Sequence, residues 1–177
     1  MIAPEFSRPR RLDTIGAGDA EVTIEANEAE RAALAQRFGL LTIDALTASY
    51  TLRKEAAGIA ASGRLRADVT QTCVATGEAL RVTLDEPFAI RFVPEDEAGD
   101  AEEEIELSED ALDTMFYEGS AIDLGEAAAE TLALSLDPFP RSPNAPAVLK
   151  EAGVISEDEA RPIGALAGLK DMLAKGK

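Results

Sequence analysis

Apolar residues alternate with polar ones through the middle of the chain. The alternation runs from Leu46 to Leu52, from Ile59 to Val69 and from Leu80 to Phe92. A period of two places one side of an extended chain against a hydrophobic core. Gly58 and the Thr76-Gly77 pair separate the three runs and predict turns. The middle of the chain is therefore predicted to form antiparallel strands with one buried face.

A short strand and a helix are predicted before these strands. Val22 and Ile24 indicate the strand. Asn27 follows it, and Glu30 lies three residues later, which is the spacing of a capping box at a helix start. Gly39 readily adopts the left-handed conformation in which many helices end. The first helix is therefore expected between Asn27 and Gly39.

A second capped helix is predicted towards the C-terminus. Asp123 and Glu126 repeat the capping-box spacing, so this helix is expected to begin at Leu124. Apolar residues recur about every four positions up to Leu136 and predict a stripe that packs on a sheet. Pro138 lies just beyond, where proline prevents the helix from continuing.

The order of these elements indicates an α+β fold. A further helix is expected near Asp110 to Tyr117, so that helices follow the run of strands. We predict one domain over residues 1–177, an antiparallel β-meander with the helices packed on one face. Residues 138–163 are predicted to form a proline-rich surface segment, because proline interrupts regular structure. Its prolines are Pro138, Pro140, Pro143, Pro146 and Pro162.

The negative charge is concentrated in one part of the chain. The net charge is −17, and residues 92–140 contain 16 acidic residues and no lysine or arginine. Repulsion between neighbouring carboxylates predicts a mobile acidic loop over residues 95–104. This run is either a solvating loop without a ligand or a strip that docks a basic partner. The docking candidates are Glu102, Glu103, Glu104 and Glu106.

The residue types argue against catalysis. The chain has no histidine, a single cysteine (Cys73), and neither a phosphate-binding P-loop nor a dinucleotide-binding glycine pattern. One cysteine without histidine cannot assemble the usual zinc site within one chain. We therefore expect a non-enzyme without metal or cofactor, in which Cys73 is a small turn or core residue.

The distribution of apolar residues also bears on location. No segment approaches the roughly 18 uncharged apolar residues of a membrane span, and the N-terminus lacks the apolar stretch of a signal peptide. A cytoplasmic protein is therefore expected, with no membrane partner.

Two segments of the chain carry a family resemblance. TCVATGEALRVTLDEPFAIRFVPE spans Thr72 to Glu95, and IDLGEAAAETLALSLDPFPRSP spans Ile122 to Pro143. In this order they resemble the YceD-like family of large ribosomal RNA subunit accumulation proteins. The opening EFSRP and the closing RPIGALAGLK are similar to the ends of bacterial members.

The resemblance implies a cytoplasmic non-enzyme that supports accumulation or processing of large-subunit ribosomal RNA. Many relatives carry a C-x-x-C pair where this chain has Cys73 and Thr76. The implied partner is large-subunit ribosomal RNA or a pre-ribosomal particle. The alternative is an acidic adaptor or holdase that binds a basic ribosomal protein. The oligomeric state is left open.

The main basic patch is predicted on the polar side of the strands. Its arginines are out of phase with the apolar residues and should project from one solvent face. Either they form a mixed, solvated face with Glu55, Asp68 and Asp85, or they contact ribosomal RNA phosphates. The candidates are Arg53, Arg64, Arg66, Arg81 and Arg91.

A second candidate contact follows the C-terminal helix. Phe139 and Arg141 flank Pro140, so they are expected on a rigid surface turn. An exposed aromatic ring beside a guanidinium can stack on a base or fill a protein pocket.

Overall fold

The computed structural model describes residues 4–56, 58–95 and 113–154. Its strands are β1 (Pro9–Arg11), β2 (Ala20–Glu25), β3 (Thr42–Glu55), β4 (Gly58–Thr72), β5 (Ala79–Pro94), β6 (Asp113–Tyr117) and β7 (Ala121–Asp123). Its α-helices are α1 (Glu28–Phe38), α2 (Leu124–Ser135) and α3 (Ala145–Glu151), and a short 3-10 turn covers Leu12–Thr14.

A five-stranded sheet in the order β2-β3-β4-β5-β6 forms the centre of the molecule. The first four strands are antiparallel, whereas β6 runs parallel to β5. Strands β1 and β7 form a separate two-stranded sheet. The α+β prediction is confirmed, with a mixed sheet in place of a wholly antiparallel one.

The prediction of a helix near Asp110 to Tyr117 is wrong. Residues 113–117 form β6, and residues 110–112 lie outside the described part of the chain. Thr114, Phe116 and Tyr117 are β-branched or aromatic residues, which favour strands. Pairing with β5 from Ile90 to Pro94 stabilises this conformation.

The inner face of the sheet packs against α1 and α2 in one hydrophobic core. Gly63 lies between Tyr50 and Phe88 of the neighbouring strands, whose rings contact each other with centroids 4.9 Å apart. A Cβ atom at Gly63 would lie 1.8 Å from the Ser49 carbonyl oxygen. Only glycine therefore fits between these strands in their present position.

Both predicted helix starts are present. Asn27 and Glu30 form the complete capping box of α1, and Gly39 ends that helix with a φ of 66°. Asp123 caps α2, accepting from the amides of Gly125 and Glu126. The predicted box at α2 is only half formed, because the Glu126 carboxylate accepts from the Arg37 guanidinium at 2.7 and 3.0 Å.

The N-terminal segment is fastened to the start of α2. The Asp123 carboxylate accepts from the Arg8 amide at 2.7 Å and from the Ser7 hydroxyl at 2.5 Å. The Leu124 amide donates to the Arg8 carbonyl at 3.2 Å. Gly125 makes this approach possible, since a Cβ atom there would lie 2.4 Å from the Phe6 carbonyl oxygen.

Ion pairs connect the same segment to α1. Arg8 pairs with Glu30 at 2.7 Å. Arg37 bridges Glu5 at 3.1 Å and Glu126 at 2.7 Å, so it joins the N-terminal segment, α1 and α2. The hydrogen bond from Arg8 lowers the pKa of Glu30, which shows that the pair favours the carboxylate.

The described part of the 138–163 segment is attached to the turn that follows β4. It contains α3, and Pro140, Ser142 and Ala145 are buried. The Val74 amide donates to the Pro140 carbonyl at 2.9 Å. This backbone bond holds the segment against the turn between β4 and β5; residues 155–163 lie outside the described ranges.

Replacing Asp123 with alanine should destabilise the fold by about 1–3 kcal/mol, because a helix cap is lost and the Arg8 amide loses its acceptor. Chemical unfolding followed by circular dichroism measures the change. Asp137→Ala is the matched control, since Asp137 caps only the exposed amide of Phe139. Equal losses in the two variants would contradict this role of Asp123.

Candidate nucleic-acid and protein interface

The five candidate arginines lie on the outer face of the central sheet, opposite the helices. The strand register places each of them out of phase with the buried residues of its strand. Three strands contribute: Arg53 comes from β3, Arg64 and Arg66 from β4, and Arg81 and Arg91 from β5. Four of these side chains, Arg53, Arg64, Arg66 and Arg81, are exposed, whereas Arg91 is partly buried.

Three of the arginines have acidic partners. Arg64 and Arg66 share Asp85 at 2.8 and 3.4 Å, and Arg53 pairs with Asp19 at 2.5 Å. Exposed pairs of this kind contribute about 0.2–1 kcal/mol each. Sequence reasoning included Asp85 but missed Asp19, which precedes β2 and reaches Arg53 only through the β2–β3 pairing.

The remaining predicted acid partners behave differently. Asp68 accepts a hydrogen bond from the Thr83 hydroxyl at 2.7 Å on the same outer face. The hydrogen bond with Asp19 raises the pKa of Arg53, and the charge of the nearby Glu55 acts in the same direction. The face is thus mixed in charge where these acids lie.

Arg81 and Arg91 differ from the other three. Neither makes an ion pair with any residue of the described ranges. The Arg91 Nε atom is buried and has no hydrogen-bond partner there. Arg81 and Arg91 therefore have no carboxylate partner among the described residues.

Arg91 lies in a row of residues that suits an anion. The register pairs Arg53 with Ala60 and Ala60 with Arg91, so one small side chain separates the two arginines. Two strand spacings place their backbones about 10 Å apart. Long guanidinium side chains from such positions can reach neighbouring phosphates of a nucleic-acid strand.

Phe139 and Arg141 are exposed, and the Phe139 side chain retains 69% of its accessible surface. Asp137 fixes the turn, because its carboxylate accepts from the Phe139 amide at 2.9 Å. The backbone carbonyl of Asp137 accepts from Gln71 Nε2, also at 2.9 Å. The tail is held by the end of β4 and the following turn rather than by the arginine face.

Cys73 lies at the junction between this tail and the β4–β5 turn. Its buried Sγ accepts from the amides of Thr76 at 3.4 Å and Ser142 at 3.2 Å. Burial opposes ionisation, but hydrogen bonds involving Thr76, Ser142 and Ala75 outweigh it and lower the pKa of Cys73 to about 6. The thiolate form therefore strengthens the attachment of the tail.

The acidic docking candidates cannot be placed, because they lie in a part of the chain that the structure does not describe. The docking candidates Glu102, Glu103, Glu104 and Glu106, and residues 96–104 of the predicted acidic loop, lie outside the described ranges. Across residues 4–56, 58–95 and 113–154, no three acidic or cysteine side chains are grouped as a metal site requires. None of the helices described is long and apolar enough to cross a membrane.

The architecture defines an α+β protein whose helices close one sheet face and leave an arginine-bearing face open. A family model described as "Large ribosomal RNA subunit accumulation protein YceD" matches residues 61–172, more than half of the chain. The chain therefore belongs to the YceD family, as its sequence resemblance predicted. No curated protein and no solved structure matches the chain.

The family match begins inside β4. Strands β1 to β3 and helix α1 precede it, and buried residues of β2, β3 and α1 belong to the same hydrophobic core as the matched part.

Cys73 predicts a pH dependence of stability. Its pKa is about 6 in the fold and about 8.5 in an unfolded chain. A depressed pKa gives stability that is complete above the unfolded value and is lost as the pH falls through the folded value. The free energy of unfolding should therefore rise between about pH 6 and pH 8.5, and Cys73→Ser should remove this rise.

Urea unfolding under reducing conditions, followed by circular dichroism across this pH range, makes the comparison. The ultraviolet absorbance of the thiolate reports its ionisation directly. An unchanged pH dependence in Cys73→Ser would assign the effect to other groups.

Proposed function

We propose that this protein supports the accumulation of large-subunit ribosomal RNA as a non-enzymatic, cytoplasmic assembly factor, and that its arginine face contacts the RNA. Membership of the YceD family supports the pathway. The observation that carries the contact is the shared outer face of Arg53, Arg64, Arg66, Arg81 and Arg91.

The chemistry of this face favours binding to phosphates. Arginine presents a planar set of donors that matches phosphate oxygens, and such contacts position a protein on RNA without reading sequence. Hydroxyl side chains lie between the arginines, including Ser49, Thr51 and Ser62. These groups add donors for phosphate or ribose oxygens.

The unpaired arginines should contribute most. Arg64 and Arg66 share one carboxylate, so an arriving phosphate must compete with Asp85. Arg81 and Arg91 have no such competitor among the described residues. Phosphate contact there adds charge-assisted hydrogen bonds without breaking an ion pair.

The overall charge of −17 limits where RNA can approach. A net negative field opposes indiscriminate binding to a polyanion. Sixteen of the acids lie in residues 92–140, whereas the five arginines all precede residue 92. Binding should therefore weaken steeply with salt.

A second candidate function is an acidic adaptor for a basic ribosomal protein. The run of 16 acids without a lysine or arginine over residues 92–140 supports it. In this role the protein would shield a cationic partner before it joins the particle.

The Arg81→Glu/Arg91→Glu double variant should bind large-subunit precursor RNA at least about tenfold more weakly, since two charge-assisted contacts become repulsive. Its binding should also depend less on salt. Titration of a precursor RNA transcript with the purified protein at several salt concentrations measures both the affinity and its salt dependence. The Arg11→Glu/Lys150→Glu control makes the same charge change on β1 and α3, outside the three strands that carry the arginines, and should have a small effect.

Gradient sedimentation of lysate at low salt, with and without ribonuclease, extends the test to the particle. Ribonuclease-sensitive migration with large-subunit precursors is expected for the parent protein and the control, but not for the double variant. A light position unaffected by ribonuclease favours the adaptor. Equal RNA affinity in both double variants would exclude the arginine face.

A further inference from the structure

A groove lies at the end of the central sheet where β4 finishes and β5 begins. It holds about 370 Å³ between the C-terminal ends of α1 and α2, the last residues of β4 and the proline-rich tail that follows α2. The Val74 side chain lines it and retains 55% of its accessible surface, although the Val74 amide is bonded to the tail. The apolar lining includes Phe38, Leu40, Val74, Leu136, Pro138 and Pro140.

The groove carries one negative charge without a cation beside it. Asp137 is the only charged residue among the described residues that line the groove, and it makes no ion pair with any of them. The last turn of α2, which ends at Ser135, contains no basic residue. Because the C-terminus of a helix carries partial negative charge, a lysine or arginine in the groove would be attracted to both.

A segment of matching chemistry follows α3 in the sequence. Residues 162–174 read PIGALAGLKDMLA and lie outside the described ranges. Lys170 comes four residues after Leu166 and therefore shares its side of a helix, whereas Asp171 falls on the opposite side. One cation in an apolar stripe thus corresponds to one carboxylate in an apolar groove. The stripe has the spacing of one helix face and consists of Ile163, Leu166, Leu169 and Leu173.

The position of α3 brings this segment within reach of the groove. The residue before α3, Asn144, donates from its side-chain amide to the Glu78 carboxylate in the β4–β5 turn at 3.3 Å. The description continues to Val154. Residues 155–161 separate Val154 from the segment and can span up to about 25 Å. This length is enough to place a helix of about 20 Å against the same end of the sheet.

The family match gives separate support. It runs from residue 61 to residue 172, so it takes in the β4 and α2 sides of the groove together with most of the 162–174 segment. Groove and segment therefore belong to the same family domain.

We propose that residues 162–174 bind this groove as an amphipathic helix of the same chain. Their apolar stripe contacts Val74 and Leu136, and Lys170 pairs with Asp137 beside the C-terminus of α2. The bound segment joins α1, α2 and the end of β4. This inference depends neither on RNA contact nor on the adaptor role, because groove and segment contain none of the five arginines of the outer face.

Hydrogen exchange of the full-length protein, read by mass spectrometry, tests the docking. Amides of residues 166–174 should exchange at least about tenfold faster in Val74→Lys than in the parent protein, because a second cation in the groove repels Lys170 and interrupts the apolar contact. Val148→Lys makes the same change at an exposed position of α3 outside the groove and should leave the exchange slow. Rapid exchange in the parent protein, or equal rates in the two variants, would overturn the proposal.

Carbodiimide, which joins an amine to a carboxylate in direct contact, identifies the pair. The expected product links Lys170 to Asp137 within one chain. Asp137→Asn should abolish this link while keeping an oxygen acceptor for the Phe139 amide. Mixing ¹⁵N-labelled with unlabelled protein separates links within a chain from links between chains. A link between chains would show a second copy in the groove and would contradict the proposal, as would the absence of any link between Lys170 and Asp137.

Discussion

One carboxylate, that of Asp123, joins the N-terminal segment to the start of α2. It accepts from the amides of Gly125 and Glu126, from the Arg8 amide and from the Ser7 hydroxyl. The buried Tyr50 hydroxyl donates to the Leu124 carbonyl at 2.7 Å, which fixes the same helix start over the middle of the sheet. The positions of the N-terminal segment, α2 and the sheet therefore depend on one another.

This junction determines which surfaces remain for function. Helices α1 and α2 close the inner sheet face, and the ion pairs of Arg8 and Arg37 connect them through the N-terminal segment. No described helix covers the outer face. It carries the five arginines together with Asp19, Asp68 and Asp85, so it is mixed in charge.

The proline-rich tail is attached to the β4–β5 turn through one sulfur atom. Here Sγ of Cys73 accepts from the Thr76 and Ser142 amides, and the Thr76 and Ser142 hydroxyls lie 3.3 Å apart. Hydrogen bonds to one sulfur thus connect the turn and the tail, and ionisation of that sulfur adjusts their strength.

The sequence by itself determined the elements whose causes are local. Alternating apolar residues set the faces of β3, β4 and β5, and with them the common face of the arginines. Asn27, Asp123 and Gly39 set helix ends, because a cap involves only neighbouring residues. Tertiary structure decided the rest. Residues 113–117 became a strand by pairing with distant β5, Glu126 turned to Arg37, and Asp19 reached Arg53. Pairings between residues far apart in the chain leave no local pattern from which to predict them.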